Sequence, residues 1–197
     1  MSYIKPEQVR EMMERYGAPR ELELSFELTP AEFSMLRSSR KDGRSHDITL
    51  FIFRERDYGE FAAIAKPFFP PGVWRAPSGA AHPGEDFETG ARREGWEETG
   101  LEIEFDRFIL LIRVRFTCGP EFEDWTSYIF TAFMTGGELE PHDTVEIAAV
   151  RWLSLDELQS EVREKLQATE MPLFLYRLRL HDESVEEIRV LDSGRRG

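Results

Sequence analysis

Two periodicities of apolar residues open the chain. Residues 5–16 carry apolar positions at helical spacing and are followed by Gly17, which predicts a short amphipathic helix. Thr29 and Glu32 have the spacing of a capping box, which predicts a second helix from there to about Arg37. Between the two helices every second residue is apolar, as in a half-buried strand, at Leu22, Leu24, Phe26 and Leu28.

The next stretch predicts the first strands of a sheet. Residues 47–54 form a nearly continuous apolar run, which is typical of a strand buried on both faces. After a turn at 57–59, residues 61–66 predict the returning strand. Residues 66–71, KPFFPP, contain too much proline for regular structure and are predicted to form a loop.

The second half of the chain predicts three more strands and a helical end. The strands are expected at residues 102–114, 125–134 and 145–153, with a loop at 117–124. Ser154 and Glu157 form another capping box, which begins a helix. Apolar and basic residues alternate over 172–181, and 185–196 is expected to be a frayed end.

An acidic helix is predicted between these groups of strands, at residues 86–98. Asp86 suits its N-cap, and Gly100 suits a left-handed position just past its end. At roughly 100° per residue, three carboxylates fall on one helix face: Glu94, Glu97 and Glu98. Such a face is either solvated or covered by a cation, and carboxylate oxygens are the ligands that magnesium prefers. The order of the charges after a glycine turn favours the metal site.

This stretch resembles the Nudix box, the signature of the Nudix hydrolases. Within residues 79–101 the matching positions are Gly79, Glu85, Arg93, Glu94, Glu97, Glu98, Gly100 and Leu101. One position departs from the pattern, because Gly95 follows Arg93-Glu94 where the family has an aliphatic residue. Glycine inside a helix costs about 1 kcal/mol relative to alanine, and the missing side chain loses roughly 1.5 to 3 kcal/mol of burial. The departure therefore concerns packing under the helix, since every charged position is kept.

The resemblance implies a fold and a set of roles. The fold class is α/β: a Nudix-like α/β/α sandwich around a mixed β-sheet, with an N-terminal helix-strand-helix extension. Glu97 and Glu98 would be ligands of Mg2+, for which Mn2+ could substitute, and Glu94 would be a ligand or the general base. Arg93 would pair with Glu85 and orient the catalytic helix and loop.

A carboxylate beyond the box often completes the metal cluster or acts as the base in this family. Glu146 is the candidate here, with Glu140 and Asp143 as alternatives, and a surface turn residue would explain Glu146 equally well. The resemblance also implies that a backbone carbonyl near Ser78 faces the metal.

Residues just ahead of the box are candidates for binding the substrate. Lys66 and Arg75 could hold phosphates by charge. Three rings in the same loop could stack a base, although such rings are more often core: Phe68, Phe69 and Trp74. A basic cluster further upstream either belongs to a solvated linker or helps to bind a phosphate or base of the substrate. Its residues are Arg40, Lys41, Arg44 and His46.

Charge and composition limit the kinds of molecule that the protein is expected to bind. The formal charge is −13, from 38 acidic and 25 basic residues, which disfavours long nucleic acid and anionic membrane surfaces but permits a small polyphosphate bridged by cations. No stretch approaches the roughly 20 apolar residues of a membrane span. The single cysteine, Cys118, is interpreted as a structural thiol and fits a reducing cytoplasm.

The reaction implied by the resemblance is hydrolysis of a phosphoanhydride bond in a nucleoside diphosphate linked to another group, such as ADP-ribose or a nucleotide sugar. ADP-ribose-cleaving members tend to carry a proline about sixteen residues past the box, whereas Pro120 lies nineteen past Leu101. The alternatives are a nucleoside triphosphate or dinucleoside polyphosphate pyrophosphohydrolase, or a nucleotide-sensing module without turnover. The intact charged positions favour an enzyme.

Three segments are predicted along the chain: an extension at 1–45, a Nudix hydrolase domain at 46–160 and a C-terminal helical tail at 161–197. The strand of the extension could cover one edge of the main sheet or pair with a second protomer. An exposed strand edge invites pairing, which favours a homodimer.

Overall fold

Seven strands form one mixed β-sheet within residues 4–40 and 43–196, the part of the chain that this computed structural model describes. The strands are β1 (Arg20–Glu27), β2 (His46–Phe53), β3 (Glu60–Ala65), β4 (Ser78–Gly79), β5 (Leu101–Cys118), β6 (Glu121–Gly137) and β7 (Ala149–Ser154). Their order is β1-β5-β6-β2-β3-β7, and the short β4 pairs with β2. β1 with β5 and β6 with β2 are the parallel pairs, so the sheet is mixed as predicted.

Helices cover both faces of this sheet. They are α1 (Pro6–Tyr16), α2 (Pro30–Ser39), α3 (Phe87–Thr99), α4 (Leu155–Glu157), α5 (Arg163–Ala168) and α6 (Pro172–Arg196), with a π-helical turn at Leu158–Val162. One core lies between the sheet and the layer of α1 and α3, and the other lies under α2, α5 and α6. The predicted α/β/α sandwich is therefore confirmed.

The central strand β2 shows why its sequence lacks alternation. Successive side chains of a strand point to opposite faces, and here Ile48, Leu50 and Ile52 enter one core while Phe51 and Phe53 enter the other. All eight residues of β2 are buried as a result. A continuous apolar run is the expected pattern for a strand covered on both sides.

The N-terminal extension belongs to the same sheet. β1 pairs in parallel with β5 over eight residues, and its exposed and half-buried positions alternate. Tyr16 of α1 packs against Phe105 with ring centroids 5.4 Å apart, on the face that also carries α3. Of the two arrangements considered for this strand, the structure shows the one in which it covers an edge of its own sheet.

The predicted loop at 117–124 was wrong. β5 and β6 continue into a hairpin that pairs Cys118 with Glu121, so that only Gly119 and Pro120 form the turn. The positive φ of Gly119, 57°, permits this tight connection. A bidentate ion pair from Arg115 to Asp124, at 2.8 and 3.0 Å, stabilises the hairpin across the strands.

The predicted frayed end at 185–196 was also wrong. α6 is a single helix of 25 residues, and Val185 and Ile188 are buried in the core. Arg20 of β1 pairs with Glu183 and with Glu187, at 3.0 Å for the latter, which ties this half of the helix to the edge strand. No helix of the described residues is both long enough and apolar enough to cross a membrane.

Candidate active site

The acidic helix α3 has the ends that its sequence predicted. Asp86 caps it by accepting the Thr89 amide at 3.0 Å, and Gly100 follows it with a left-handed φ of 76°. The carbonyl oxygens of Glu138 and Glu140 approach Gly100 so closely that a Cβ would overlap both. The end of α3 therefore lies directly against the chain that leaves β6.

Arg93 connects the glycine turn to the helix. Its guanidinium donates to both oxygens of Glu85 at 3.1 Å and to the Ala80 carbonyl at 3.0 Å. Burial raises the pKa of Glu85, but hydrogen bonds from Arg93 and the His82 amide outweigh it, and the pKa is lowered. The ion pair implied by the resemblance is present, and it fastens residues 80–85 to α3.

Glu94 and Glu97 both accept from the same nitrogen of Arg93, each at 3.0 Å. Glu94 also lies over the backbone of Gly79, where a Cβ would overlap its carboxylate. Glu97 is the more exposed of the two. The helix thus presents two carboxylates that share the guanidinium of Arg93, and one of them covers the buried backbone of Gly79.

Glu98 is the buried member of the acidic face, with 4% of its surface exposed. It accepts the Ser78 amide at 2.7 Å, and both Arg75 Nη2 and Lys66 Nζ lie 3.5 Å from its Oε1. Burial raises its pKa against the charges of Arg75 and Lys66, and the nearby charge of Glu94 adds to the rise. Glu98 therefore lies where the helix, the glycine turn and the loop before it meet.

Glu146, the candidate carboxylate beyond the Nudix box, is connected to this cluster through Lys66. Its ammonium lies 3.0 Å from Oε2 of Glu146, whose side chain is 57% exposed. Asp143 has a local role, because its carboxylate accepts the Val145 and Glu146 amides at 3.0 and 2.9 Å. These residues form a turn, and β7 starts at Ala149 rather than at the predicted 145.

The two predicted substrate-binding cations differ in exposure. Lys66 is half-buried between Glu98 and Glu146, at the edge of the cluster. Arg75 is only 4% exposed and donates to Ser78 Oγ and, at 3.3 Å, to the Ala76 carbonyl. Burial lowers the pKa of Arg75 to about 10, with Glu98 opposing that shift.

The acidic face suits a hard divalent cation by its donors. Three carboxylates supply oxygen ligands, and magnesium needs few protein ligands because it keeps waters and substrate phosphates. The described residues hold no ready group of three acidic, histidine or cysteine side chains in metal-binding geometry. Glu94 and Glu97 face Arg93, and Glu98 faces Arg75 and Lys66, so an ion would replace cationic side chains.

The aromatic residues of the 66–75 loop have separate environments. Phe68 is 67% exposed and meets the edge of Phe69, which packs against Phe174 at 5.4 Å between centroids. The guanidinium of Arg151 covers Trp74 at 4.9 Å. Phe68 is therefore the ring of the three that is open to a ligand.

The upstream basic cluster does not gather at the carboxylates. Arg40 pairs with Glu123 and donates to the Arg44 carbonyl at 2.9 Å, and Arg44 lies over the Trp125 ring at 5.4 Å. Buried His46 begins β2, and burial lowers its pKa to about 4. Lys41 lies outside the described residues.

Comparison with known proteins identifies the family. The model of the NUDIX domain matches residues 44–174, which is most of the chain. The chain belongs to the Nudix family. The match begins within the predicted extension and continues past the predicted domain end at 160, into α6.

Two bacterial proteins are similar to parts of the chain. The NAD-capped RNA hydrolase NudC of Chromobacterium violaceum is 30% identical over 99 residues, which cover 50% of this chain and 35% of that protein. A MutT-like protein of Streptomyces ambofaciens is 29% identical over 119 residues, 60% of this chain and 71% of that one. The chain thus spans about a third of the length of NudC.

Solved Nudix structures resemble the fold more distantly. An ADP-ribose pyrophosphatase from Streptococcus suis superposes with a TM-score of 0.42 at 19% identity, covering 64% of this chain and 92% of that one. A MutT Nudix hydrolase from Burkholderia pseudomallei gives a TM-score of 0.44 at 26% identity, with 57% and 84% covered.

Gly95, the departure from the Nudix box, has a packing reason. A Cβ built there would lie 3.3 Å from Leu50 and 3.6 Å from both Ile103 and Ile52. Because these three side chains already fill the space under the helix, a longer aliphatic residue at 95 would not fit without displacing them. In the family pattern an aliphatic side chain of the helix would fill this space, whereas here side chains of the sheet fill it.

Two residues of α6 that lie near Arg75 were not among the predicted site residues. Arg177 and His181 both interact electrostatically with Arg75. Their spacing of four residues was the available signal, since it places them on one helix face. The alternation of apolar and basic residues in this segment concealed the helical period.

Proposed function

We propose that this Nudix protein is a divalent-metal-dependent pyrophosphohydrolase. Its substrate is a nucleoside diphosphate linked to a further group, such as ADP-ribose or a nucleotide sugar, and the bond cleaved is a phosphoanhydride. The observation that carries the proposal is the convergence of Lys66 and Arg75 on Glu98, on the helix that also carries Glu94 and Glu97.

Glu94, Glu97 and Glu98 would hold Mg2+, or Mn2+ in its place. The bound ion would supply charge neutralisation of the phosphate chain and a lower pKa for water. The three adjacent carboxylates of α3 support this assignment, because carboxylate oxygens are the ligands that magnesium prefers. Lys66, Arg75 and Arg93 now balance their charge, and a bound ion would take the place of some of these cations.

The protein's own residues carry the proton and orient the substrate. A carboxylate, Glu146 or Glu94, removes a proton from the attacking water as its oxygen bonds to phosphorus. The bond from phosphorus to the bridging oxygen breaks, and the leaving phosphate takes that electron pair. Lys66, at the edge of the cluster, is placed to attract the phosphate chain, while Arg75 holds Glu98.

Phe68 is the candidate for contact with the base. Its ring is exposed, is held by edge contact with Phe69, and lies two residues from Lys66. Stacking of a base on an aromatic ring is worth roughly 1 to 3 kcal/mol. This position agrees with a substrate whose phosphates meet Lys66 and whose base lies outside the carboxylate cluster.

A product assay tests the function. The protein is incubated with Mg2+ or Mn2+ and a panel of ADP-ribose, NAD, nucleotide sugars, dinucleoside polyphosphates and nucleoside triphosphates. NAD is included because the NudC relative is named for an NAD cap, which contains a dinucleotide pyrophosphate. Release of a nucleoside monophosphate from a diphosphate-linked substrate supports the proposal.

Other outcomes of this assay would indicate one of the alternative functions. Pyrophosphate or orthophosphate released only from triphosphates or dinucleoside polyphosphates assigns the protein to that class of hydrolase. Tight binding of ADP-ribose with no cleavage indicates a sensing module. Glu7→Gln, an exposed change on α1, is the control that should leave every rate unchanged. The cytoplasmic location and the homodimer stay predictions.

A further inference from the structure

A group of nitrogen donors lies beside Arg75, where α6 packs on the sheet. Arg177 and His181 are four residues apart on α6 and therefore lie on one face of the helix. Tyr176 fixes this turn of the helix, because its hydroxyl and that of Ser127 on β6 are 2.6 Å apart. The two side chains are thus held within electrostatic range of Arg75.

His181 is buried without a hydrogen-bond partner. Its exposure is 2%, and neither ring nitrogen has a partner among the described residues. Buried polar groups are nearly always paired, so an unpaired buried imidazole requires a partner from outside the chain, such as a water molecule or an anion. A neutral imidazole still donates from one nitrogen.

Arg177 shows the same property at the same place. Its Nη1 atom is buried and has no acceptor within the described part of the chain. Its charge acts on both Arg75 and His181: burial lowers the pKa of each group, and Arg177 lowers each further. Two arginines and an imidazole therefore lie within electrostatic range of one another, and buried nitrogens of Arg177 and His181 have no partner among the described residues.

The acidic groups nearby are already engaged. Glu98 accepts the Ser78 amide and faces Arg75 and Lys66. Asp47 accepts Trp125 Nε1 at 2.8 Å and hydrogen bonds from the hydroxyls of Ser127 and Thr49. The positive charge of Arg177 and the donor of His181 thus remain for an anion.

We propose that Arg177 and His181, together with Arg75, form a subsite that binds a phosphoryl group of the nucleotide substrate. A phosphoryl group has several acceptor oxygens and negative charge, which match a guanidinium and an imidazole N–H. Arg75 joins the subsite to Glu98, so the phosphate chain would continue from the carboxylates toward α6. The identity of the anion rests on the proposed function.

Binding of inorganic anions tests the subsite without turnover. Phosphate or pyrophosphate is titrated into the metal-free protein in the presence of EDTA, and the Tm and the heat of binding are measured. Wild type should gain Tm and bind, whereas Arg177→Met should lose binding by about ten- to a hundred-fold. Arg179→Met is the matched control, because Arg179 is exposed on the same helix and pairs with Glu183.

His181→Leu separates a binding role from a structural one. Replacing an unpaired buried imidazole by an apolar side chain should raise the Tm in the absence of ligand, by about 2 to 8 °C. The same variant should bind phosphate more weakly and raise KM with little change in kcat. A residue needed only for packing would show a lower Tm and an unchanged KM.

The subsite and the function can fail separately. If no substrate is cleaved but phosphate binding depends on Arg177, the proposed activity is wrong and the subsite stands. If substrates are cleaved and Arg177→Met and His181→Leu keep the wild-type KM and phosphate affinity, the subsite is overturned. Arg177→Lys, which keeps the charge with fewer donors, should give an intermediate affinity, and an affinity equal to that of Arg177→Met would also count against it.

Discussion

The most direct test of the carboxylate cluster is Gly79→Ala. Gly79 lies in β4 and has no positive φ, so alanine brings no backbone strain. Its new Cβ would overlap Oε2, Cδ and Cγ of Glu94, each more than about 1 Å inside the roughly 3.5 Å of ordinary contact. Because Cγ is among the overlapped atoms, Glu94 must change its χ1 rotamer to avoid the new methyl group, so the expected result is a displaced Glu94 in an intact fold.

The magnitude follows from that displacement. A misplacement of about 1 Å at a reacting centre can cost about 10²-fold in rate. Glu94 would also leave Arg93, a partly exposed ion pair of 3.0 Å, which is worth about 1 kcal/mol or less. We therefore expect kcat/KM to fall about 10²-fold while the Tm falls by no more than about 4 °C.

The assay compares initial rates on the best substrate of the panel with thermal unfolding of the same samples. Gly194→Ala is the control, since a Cβ there meets nothing within 4 Å, and it should change neither quantity much. Gly90→Ala gives the opposite contrast, because its Cβ would lie 2.7 Å from the backbone of Ala81 and should lower the Tm. Wild-type kcat/KM in Gly79→Ala would refute the assigned position of Glu94.

Three further predictions concern the same helix and its surroundings. Gly95→Ala should raise the free energy of unfolding, measured by urea titration, by roughly 0.5 to 1 kcal/mol and leave kcat unchanged. The new methyl group fits because its nearest neighbour, at 3.3 Å, is the end of the Leu50 side chain. A lower free energy of unfolding would contradict this. Glu98→Gln should lose roughly 10² to 10⁴ in kcat. Its Tm should also fall, because Arg75 would lose its charged partner. Near-native turnover would exclude Glu98 as a metal ligand. If Glu146 is the base, Glu146→Gln should lose roughly 10² to 10⁴ in kcat at an unchanged Tm, since the residue is largely exposed. Asp143→Asn should instead alter the turn and lower the Tm, because the Asp143 carboxylate accepts the Glu146 amide. Equal kcat for Glu146→Gln and wild type would leave Glu94 as the base.

Glycine at position 95 has a wider meaning for the Nudix box. The family pattern places an aliphatic side chain there, and this chain instead brings Leu50, Ile52 and Ile103 toward the helix backbone. The charged positions keep their order, so the acidic face is built on a helix whose underside is packed from the sheet. The departure is thus compensated in three dimensions by residues that are distant in sequence.

The sequence by itself determined the features that depend on near neighbours. The caps at Asp86 and Gly100, the capping boxes at Thr29 and Ser154, and the alternation in β1 all appear as predicted. Each is set by hydrogen bonds or side-chain periods within a few residues, and such interactions can be inferred from spacing alone. The acidic face of α3 belongs to the same class, because residues three and four apart on a helix are neighbours in any fold.

Only the tertiary structure decided which distant residues meet. Lys66 and Arg75 meet Glu98, and Lys66 in turn pairs with Glu146, because the end of β3 lies beside both Arg75 and the start of β7. The continuity of α6 was equally hidden, since its apolar residues are held by burial against the sheet rather than by a strong local pattern. Contacts between residues far apart in the chain depend on topology and packing, which no local spacing specifies.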